Sequence, residues 1–247
     1  LGHIMKILPA IDLKDGKCVR LSMGDYRQVR NYDFNPLELA MNWADNGVKN
    51  LHIVDLDGAK DGKLSNFETI QKIRKQIPNL YIQMGGGIRS LGDVQKYLDI
   101  GLDKVIIGTK AMSDRTFLDE LDSVTKNKVI IDMAVKDGKM AIQGWNQSSA
   151  LDIDSFINYI ETQQICEVVL TDVSKDGMLS GVNFNLINEV LSKTEIPIIA
   201  SGGVTTIDDI EKLILLTKKG LSGVIIGKAI YESRIKIKDL IMLESRI

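Results

Sequence analysis

Two aspartates, Asp12 and Asp132, each end a short apolar segment of the sequence. Apolar segments of this length predict buried strands, and a carboxylate at a buried strand end costs free energy unless it is paired, metal-bound or catalytic. His52 is the one histidine beyond residue 4, and it lies inside a predicted strand, where we interpret it as structural. Acid and base roles would therefore fall mainly to carboxylates, with one aspartate protonated and the other ionised. The alternative is that each aspartate caps the loop that follows it.

Glycines follow four other predicted strands in a pattern that favours anion binding. Glycine lets backbone N–H groups approach a phosphate closely, and the N-terminus of the helix that follows adds a favourable dipole. The predicted phosphate-binding residues at these turns are Gly86, Gly87, Gly108, Thr109, Gly202, Gly203, Gly227 and Lys228. The alternative is that they form plain tight turns. Their occurrence at four turns in paired positions favours the phosphate interpretation.

Three further residues lie in predicted loops and could contact a substrate. Arg20 and Arg89 could each bind phosphate through two N–H groups, although most exposed arginines have no such role. Trp145 could stack on a flat heterocycle or, alternatively, anchor its loop in the interior. Neither Cys18 nor Cys166 has a histidine partner at hand, so the sequence disfavours a cysteine nucleophile.

The sequence repeats itself at an interval of about 120 residues. The segment QMGGGIRSLGDV is similar to IASGGVTTIDDI, and KVIIGTKA is similar to GVIIGKAI. Asp12 and Asp132 are separated by the same interval. We infer that one half-chain occurs twice.

Each half alternates short β-rich segments with segments of helical periodicity, which is typical of βα units on a parallel sheet. Strands are predicted near residues 6–12, 50–56, 80–84, 104–107, 128–133, 167–172, 197–200 and 223–226. The fold class is therefore α/β, and the predicted architecture is a (β/α)8 TIM barrel built from two duplicated half-barrels. An open doubly wound sheet is the alternative. The barrel is predicted to be a single domain over residues 5–247, and residues 1–4 are interpreted as a cloning remnant.

In such a barrel the loops at the carboxyl ends of the strands build the active site. Asp12 and Asp132 end the first and fifth strands, so we expect them to face each other across the barrel mouth. The duplicated glycine turns predict two phosphate sites on opposite sides, which a ligand with a phosphate at each end would bridge. Residues 13–35 form the longest predicted loop and could serve as a lid.

The composition narrows the classes of partner. The net charge is −2, with 44% apolar and 26% charged residues, which favours neither nucleic-acid nor membrane binding. The sequence contains no cluster of metal ligands and no dinucleotide-binding fingerprint, so we expect no cofactor and no metal. No signal peptide is found, and two cysteines fit a reduced cytoplasmic location. The expected partner is a small bisphosphorylated substrate, without an obligate protein partner.

These motifs resemble the phosphoribosylformimino-aminoimidazole carboxamide ribotide isomerase family of histidine biosynthesis. The resemblance runs from residue 7 to about residue 232 and rests on PAIDLKDGKCVRL, LHIVDLDGA, GGGIRS, the GW pair at Gly144 and Trp145, TDVSKDG, SGGV and GKAIYE. It implies a duplicated half-barrel, two phosphate sites and an Amadori rearrangement of an aminoaldose to an aminoketose.

The resemblance also implies roles for individual residues. The aspartate matching Asp12 is the family's general base, and the one matching Asp132 is usually given the acid role. Thr171 and Asp176 match positions tied to activity, and Asp176 is a rival candidate for the acid. Trp145 matches a residue that stacks on the substrate, and Arg20 matches an arginine that contacts phosphate.

Two other functions remain open. The cyclase subunit of imidazole glycerol phosphate synthase is similar, but that family typically has Lys at the position of Arg20 and Cys at that of Ala10, and its sixth-strand motif differs. A non-catalytic barrel that binds a phosphate ligand is the third possibility. Met178 follows Gly177 where the isomerases often have Thr, which leaves the fine detail of substrate contacts open. Activity on phosphoribosylanthranilate and the oligomeric state also stay open.

Overall fold

Eight parallel strands form a closed barrel in the computed structural model, which describes residues 5–142, 147–148 and 152–246. Barrel strands that are consecutive in the chain pair with each other, and the last barrel strand pairs with the first to close the ring. The barrel strands are β1 (Lys6–Lys14), β4 (Asn50–Asp55), β5 (Tyr81–Gly85), β6 (Lys104–Ile107), β7 (Val129–Lys136), β10 (Val168–Asp172), β11 (Ile198–Ser201) and β12 (Leu221–Ile226). The predicted TIM barrel is therefore confirmed.

Short helices connect the strands and surround the ring. They are α1 (Pro36–Asp45), α2 (Leu56–Asp61), α3 (Phe67–Gln76), α4 (Leu91–Asp99), α5 (Thr109–Ser113), α6 (Ser123–Lys126), α7 (Ile153–Thr162), α8 (Phe184–Leu191), α9 (Ile207–Ile214), α10 (Lys228–Tyr231) and α11 (Ile237–Glu244), with a 3-10 turn at Thr217–Lys219. Helix α1 begins after Asn35, whose side chain caps it by accepting hydrogen bonds from the N–H groups of Leu37 and Glu38. Among the described residues, no helix is long and apolar enough to cross a membrane.

Two antiparallel hairpins extend the first and fifth barrel strands. β2 (Lys17–Ser22) and β3 (Asp25–Asn31) follow β1, while β8 (Lys139–Ile142) and β9 (Gln147–Ser148) follow β7. The sequence KDGK forms the first turn of both hairpins. Its two central residues have positive φ in each copy, 51° and 72° at Asp15 and Gly16, and 50° and 75° at Asp137 and Gly138. These values suit a two-residue hairpin turn. Much of the segment predicted as a long loop, residues 13–35, is therefore β-structure.

The core has two layers because successive strand residues point to opposite sides of the sheet. Inside the barrel lie Leu8, Ala10, Ile106, Ile130, Val169, Ile199 and Ile225. The outward-facing residues of the same strands, such as Ile7, Ile11 and Ile131, pack against the helices in a larger apolar layer. The filled interior supports the strand ends rigidly, and those ends carry the candidate site.

Candidate active site

A cavity of about 990 Å³ lies at the carboxyl ends of the barrel strands. This volume is within the range of small-molecule sites, about 300–1,000 Å³. The predicted site residues line the cavity, apart from Trp145, which lies outside the described residues. They are Asp12, Arg20, Gly86, Gly87, Arg89, Gly108, Thr109, Asp132, Thr171, Asp176, Gly202, Gly203, Gly227 and Lys228. The barrel thus brings residues from both halves of the chain to one place.

Asp12 and Arg20 form an ion pair on the wall of the cavity. The β1–β2 hairpin brings Arg20 back beside Asp12, and the Arg20 Nη1 to Asp12 Oδ2 distance is 2.7 Å. The guanidinium also donates to the backbone carbonyl of Ala10 and lies 4.9 Å from the centroid of the Tyr231 ring. Burial raises the pKa of Asp12, and the charge of Arg20 offsets part of that rise. The ion pair favours the ionised form of Asp12, which is the form that a general base needs.

Arg20 also links Asp12 to the glycine turn after β12. A Cβ atom at Gly227 would lie 2.8 Å from Arg20 Cζ, so the guanidinium packs directly on this turn. Arg20 Nε is buried and finds no hydrogen-bond partner within the described ranges. A side chain at position 227 would have to displace the Arg20 guanidinium, so glycine leaves room for the arginine that covers this turn.

Asp132 is held by a threonine on the neighbouring strand. Thr171 on β10 donates from Oγ1 to Asp132 Oδ1 on β7 at 3.2 Å. Burial raises the pKa of Asp132 to about 6, although the hydrogen bond from Thr171 lowers it in part. Asp132 Oδ2 lies 3.5 Å from the point that a Cβ atom of Gly108 would occupy. This carboxyl group can keep a proton close to neutral pH.

Asp176 lies in the loop after β10 and is a second carboxyl group that can hold a proton. Its N–H donates to the carbonyl of Asp172 at 3.0 Å, and its own carbonyl accepts from the N–H of Met23 at 3.0 Å. Burial raises the pKa of Asp176 to about 7, the nearby charge of Asp12 adds to the rise, and Arg20 opposes it. The cavity therefore contains one ion-paired aspartate and two that favour protonation.

The two pairs of glycines have matching backbones in the two halves. We call Gly86 and Gly87 the first glycine loop, and Gly202 and Gly203 the second. Gly86 and Gly202 have φ of 100° and 95°, and Gly87 and Gly203 have φ of 82° and 87°. A side chain at Gly86 would collide with the carbonyl of Asp55, so only glycine fits there.

The helices after these two loops begin with the same capping arrangement. Ser90 and Asp93 cap α4 by reciprocal hydrogen bonds between side chain and backbone, and Thr206 and Asp209 cap α9 in the same way. Helices α4 and α9 therefore begin in the same way after the two glycine loops, and the N-terminus of each helix adds the positive end of its dipole.

The turns after β6 and β12 are also equivalent, since Gly108 has φ and ψ of −103° and −105° and Gly227 has −108° and −102°. Lys228 Nζ donates to the carbonyl of Gly177 at 2.7 Å, which ties the turn after β12 to the Asp176 loop. The Arg89 guanidinium packs against the backbone of Gly62, where a Cβ atom would collide with it. Each half therefore has a glycine with an arginine packed against it, Arg89 on Gly62 and Arg20 on Gly227.

Some cavity residues were not predicted as site residues from the sequence. His52, Lys60 and Lys110 line the cavity. Gln83 Nε2 donates to His52 Nδ1 at 3.1 Å, and burial lowers the pKa of His52 to about 3, so its ring is neutral. The sequence contained a signal for His52, because residues two apart on a strand point to the same side of the sheet. His52 and Val54 on β4 therefore both point into the barrel and line the cavity.

The carboxyl groups of the site make acid–base chemistry available to it, and the helix N-termini beside the glycines would favour an anionic ligand. In the part of the chain that the structure describes, no group of three or more His, Cys, Asp or Glu side chains is arranged to hold a metal ion. The buried thiol of Cys18 has its pKa raised to about 11, mainly by burial, which makes it a poor nucleophile.

Comparison with known proteins gives a family for this chain. The family described as "Histidine biosynthesis protein" matches residues 6–236. A protein of Syntrophus aciditrophicus named 1-(5-phosphoribosyl)-5-((5-phosphoribosylamino)methylideneamino)imidazole-4-carboxamide isomerase is 42% identical over 240 residues, which cover 97% of this chain and 98% of that protein. Proteins with the same name from Thioalkalivibrio sulfidiphilus and Methylococcus capsulatus are 42% and 43% identical over 235 residues, and each match covers 95% of this chain and 97% of the relative.

These matches confirm the resemblance that the motifs indicated. The chain belongs to the histidine biosynthesis protein family and, within it, to the isomerases that these relatives represent.

Proposed function

We propose that this protein catalyses an Amadori rearrangement in histidine biosynthesis, as its fourth step. The substrate is the aminoaldose N'-(5'-phosphoribosyl)formimino-5-aminoimidazole-4-carboxamide ribonucleotide, and the product is its phosphoribulosyl aminoketose. The reaction class is an intramolecular oxidoreduction, in which an aldose becomes a ketose. The observation that supports this best is one cavity that combines an ion-paired aspartate, two protonatable aspartates and matched glycine loops from opposite halves of the barrel.

The two glycine loops bind the two phosphates of the substrate. The first glycine loop and the turn at Gly108 take one phosphate, and the second glycine loop and the turn at Gly227 take the other. These pairs of turns follow strands on opposite sides of the ring, so a substrate with a phosphate at each end spans the mouth. Binding at two remote points orients the sugar between the aspartates and lowers the entropic part of the barrier.

The aspartates then move protons at the sugar. Either Asp176 or Asp132 donates a proton to the ring oxygen, the C1–O bond breaks, and the nitrogen lone pair forms an imine. Asp12 removes the proton from C2, which gives an enolamine. Return of a proton to C1 and loss of the enol proton give the ketose. Atoms and electrons balance without an external oxidant, so the mechanism proceeds without a cofactor.

The deciding experiment is a spectroscopic assay of the purified aminoaldose with this protein alone. Conversion to the aminoketose without a partner supports the isomerase. A protein that leaves the aminoaldose unchanged but consumes the aminoketose with ammonia is a cyclase instead. Calorimetric binding of the aminoaldose without turnover of either compound would make the protein a binding barrel.

A further inference from the structure

We propose that two Asp–Asn pairs, Asp55 with Asn66 and Asp172 with Asn183, each built on a buried aspartate, are positioning residues that hold the two glycine loops in their phosphate-binding shape. The inference rests on the proposed function, because it assigns a role in binding the two phosphates. We call these pairs the first and second Asp–Asn clamps. An aspartate at a strand end commonly stabilises the turn that follows it.

The first clamp uses both carboxylate oxygens of Asp55, whose side chain is fully buried at the end of β4. Asp55 Oδ1 accepts from Asn66 Nδ2 at 2.6 Å and from the N–H of Gly58 at 2.8 Å. Asp55 Oδ2 accepts from the N–H of Asn66 at 3.0 Å. Asn66 is itself buried and accepts from the N–H of Gly16 at 2.9 Å. The clamp therefore joins three separate segments of the chain.

This clamp contacts both members of the first glycine loop. The carbonyl of Asp55 lies against Gly86, at the place where a Cβ atom would collide. A Cβ atom at Gly87 would lie 2.8 Å from the Cα of Gly58, the residue whose N–H the carboxylate holds. Only backbone atoms therefore separate the Asp55 side chain from the two glycines. A change in that side chain should shift the backbone at both glycines.

The second clamp repeats this arrangement on the other side of the barrel. Asp172 ends β10 and is buried, and its Oδ2 accepts from Asn183 Nδ2 at 2.7 Å. Its Oδ1 accepts from the N–H of Ser174 at 3.0 Å. A Cβ atom at Gly202 would lie 2.7 Å from the carbonyl of Asp172. The same carbonyl accepts from the N–H of Asp176, so the second clamp also lies next to a candidate acid.

The two clamps match in sequence as well as in geometry. The interval between Asp55 and Asp172 equals the interval between Asn66 and Asn183, and the glycine loops recur about one half-chain apart too. A role confined to fold stability would not require each clamp to lie against the loop that binds phosphate in its own half. The placement therefore indicates that each clamp supports the glycine loop of its own half.

The experiment separates phosphate binding from stability. Inorganic phosphate is titrated by calorimetry into the parent protein, Asp55→Asn, Asp172→Asn and the swapped pair Asp172→Asn with Asn183→Asp. The amide at position 55 or 172 turns an N–H₂ group toward a neighbouring donor, so we expect phosphate binding in that half to weaken about tenfold, with the other half unchanged. The KM for the aminoaldose should rise by a similar factor, while kcat in Asp55→Asn stays within about twofold.

The swapped pair tests the hydrogen bond itself. Its new amide at position 172 would donate to its new carboxylate at position 183, which restores the contact with the direction reversed. That carboxylate can still cap α8 by accepting from the N–H of Leu186. We expect the pair to regain the phosphate affinity that Asp172→Asn loses.

The control for stability alone lies at the opposite end of the barrel. Asp103 accepts there from Arg74 and from the N–H of Ile82, far from both glycine loops. Asp103→Asn should lower the melting temperature without changing phosphate affinity.

The outcomes separate this inference from the proposed function. If the parent binds no phosphate but converts the aminoaldose, the clamp inference is overturned and the proposed function stands; if it does neither, both are overturned. If the parent binds two phosphates and the folded Asp55→Asn variant binds both as tightly, the clamp inference alone is overturned. If single clamp variants fail to fold, a swapped pair that folds without regaining affinity also overturns the inference.

Discussion

Asp12, Asp132 and Asp176 share one cavity but have different neighbours, and this difference gives the three carboxyl groups different tendencies to hold a proton. Arg20 contacts Asp12 at 2.7 Å, whereas Asp132 has the neutral hydroxyl of Thr171. Burial raises the pKa of all three carboxyl groups, to about 6 for Asp132 and about 7 for Asp176. Environment thus gives chemically identical side chains different pKa values, which is the basis of the base and acid roles proposed for them.

Replacing Asp12, the proposed base, or Asp132, a proposed acid, should stop turnover without preventing substrate binding. We expect Asp12→Asn and Asp132→Asn to lower kcat by about 100-fold or more, because an amide neither accepts nor releases a proton here. Calorimetry should show that the substrate still binds. Asp122→Asn, at the exposed N-cap of α6, is the matched control. Near-parent turnover in either variant would remove that residue from the mechanism.

The pH dependence of kcat/KM should identify the acid. The acid must be protonated, so activity should fall as pH rises through its pKa. A fall centred near pH 7 fits the carboxyl group of Asp176, and a fall centred near pH 6 fits that of Asp132. The profile is measured in buffers without phosphate, because phosphate competes for the site. Activity that keeps rising above pH 8 would exclude both carboxyl groups as the acid.

Most of the site residues lie at strand ends or in the turns that follow them. For this reason residue types and their spacing were enough to predict many of these residues. Asp12 and Asp132 were predicted because each follows an apolar strand at an interval of one half-chain. The hairpins were missed, although the Asp15–Gly16 turn is a recognised hairpin signal. The contact of Arg20 with Asp12 depends on that hairpin, so it could not be predicted without it. Lys110 was missed because its place on the cavity wall depends on which way its side chain points, whereas the period of the strand contained the signal for His52.

A side chain in the second glycine loop should weaken substrate binding. Gly202→Asp puts a Cβ atom 2.7 Å from the carbonyl of Asp172 and a negative charge beside the start of α9. We expect KM to rise about tenfold or more, since the charge repels phosphate. The control is Gly220→Asp, which has a similar φ of 108° but lies before β12 at the other end of the barrel. It should reduce stability alone, and an unchanged KM in Gly202→Asp would argue against the phosphate site.

The two ends of the barrel carry different groups. We therefore expect residues that stabilise the fold and residues that act on the substrate to lie at opposite ends. At the amino ends of the strands, Glu167 accepts from Lys6 Nζ at 2.8 Å and from Ser222 Oγ at 2.9 Å. These contacts join β1 and β12 to the start of β10. The cavity with its aspartates lies at the carboxyl ends. Mutations at the amino ends should therefore change stability without changing catalysis.

Glu167→Gln tests this separation. The buried amide can no longer pair with Lys6, so we expect the free energy of unfolding to fall by about 1–3 kcal/mol in urea titrations. The kinetic constants kcat and KM should stay within about twofold. Glu189→Gln removes an exposed ion pair with Lys193 and should cost at most about 0.5 kcal/mol. A large change in KM in Glu167→Gln would mean that the two ends are coupled.

Closure of the ring has a consequence for biosynthesis. β1 pairs with β12, so the first barrel strand obtains one of its two neighbours only after the last barrel strand has been translated. Until then the nascent chain presents an open strand edge, and such edges invite pairing with other chains. Contacts between residues so distant in sequence also form slowly. A weakened β12 would therefore show itself first as aggregation during expression, before any loss of activity in the protein that does mature.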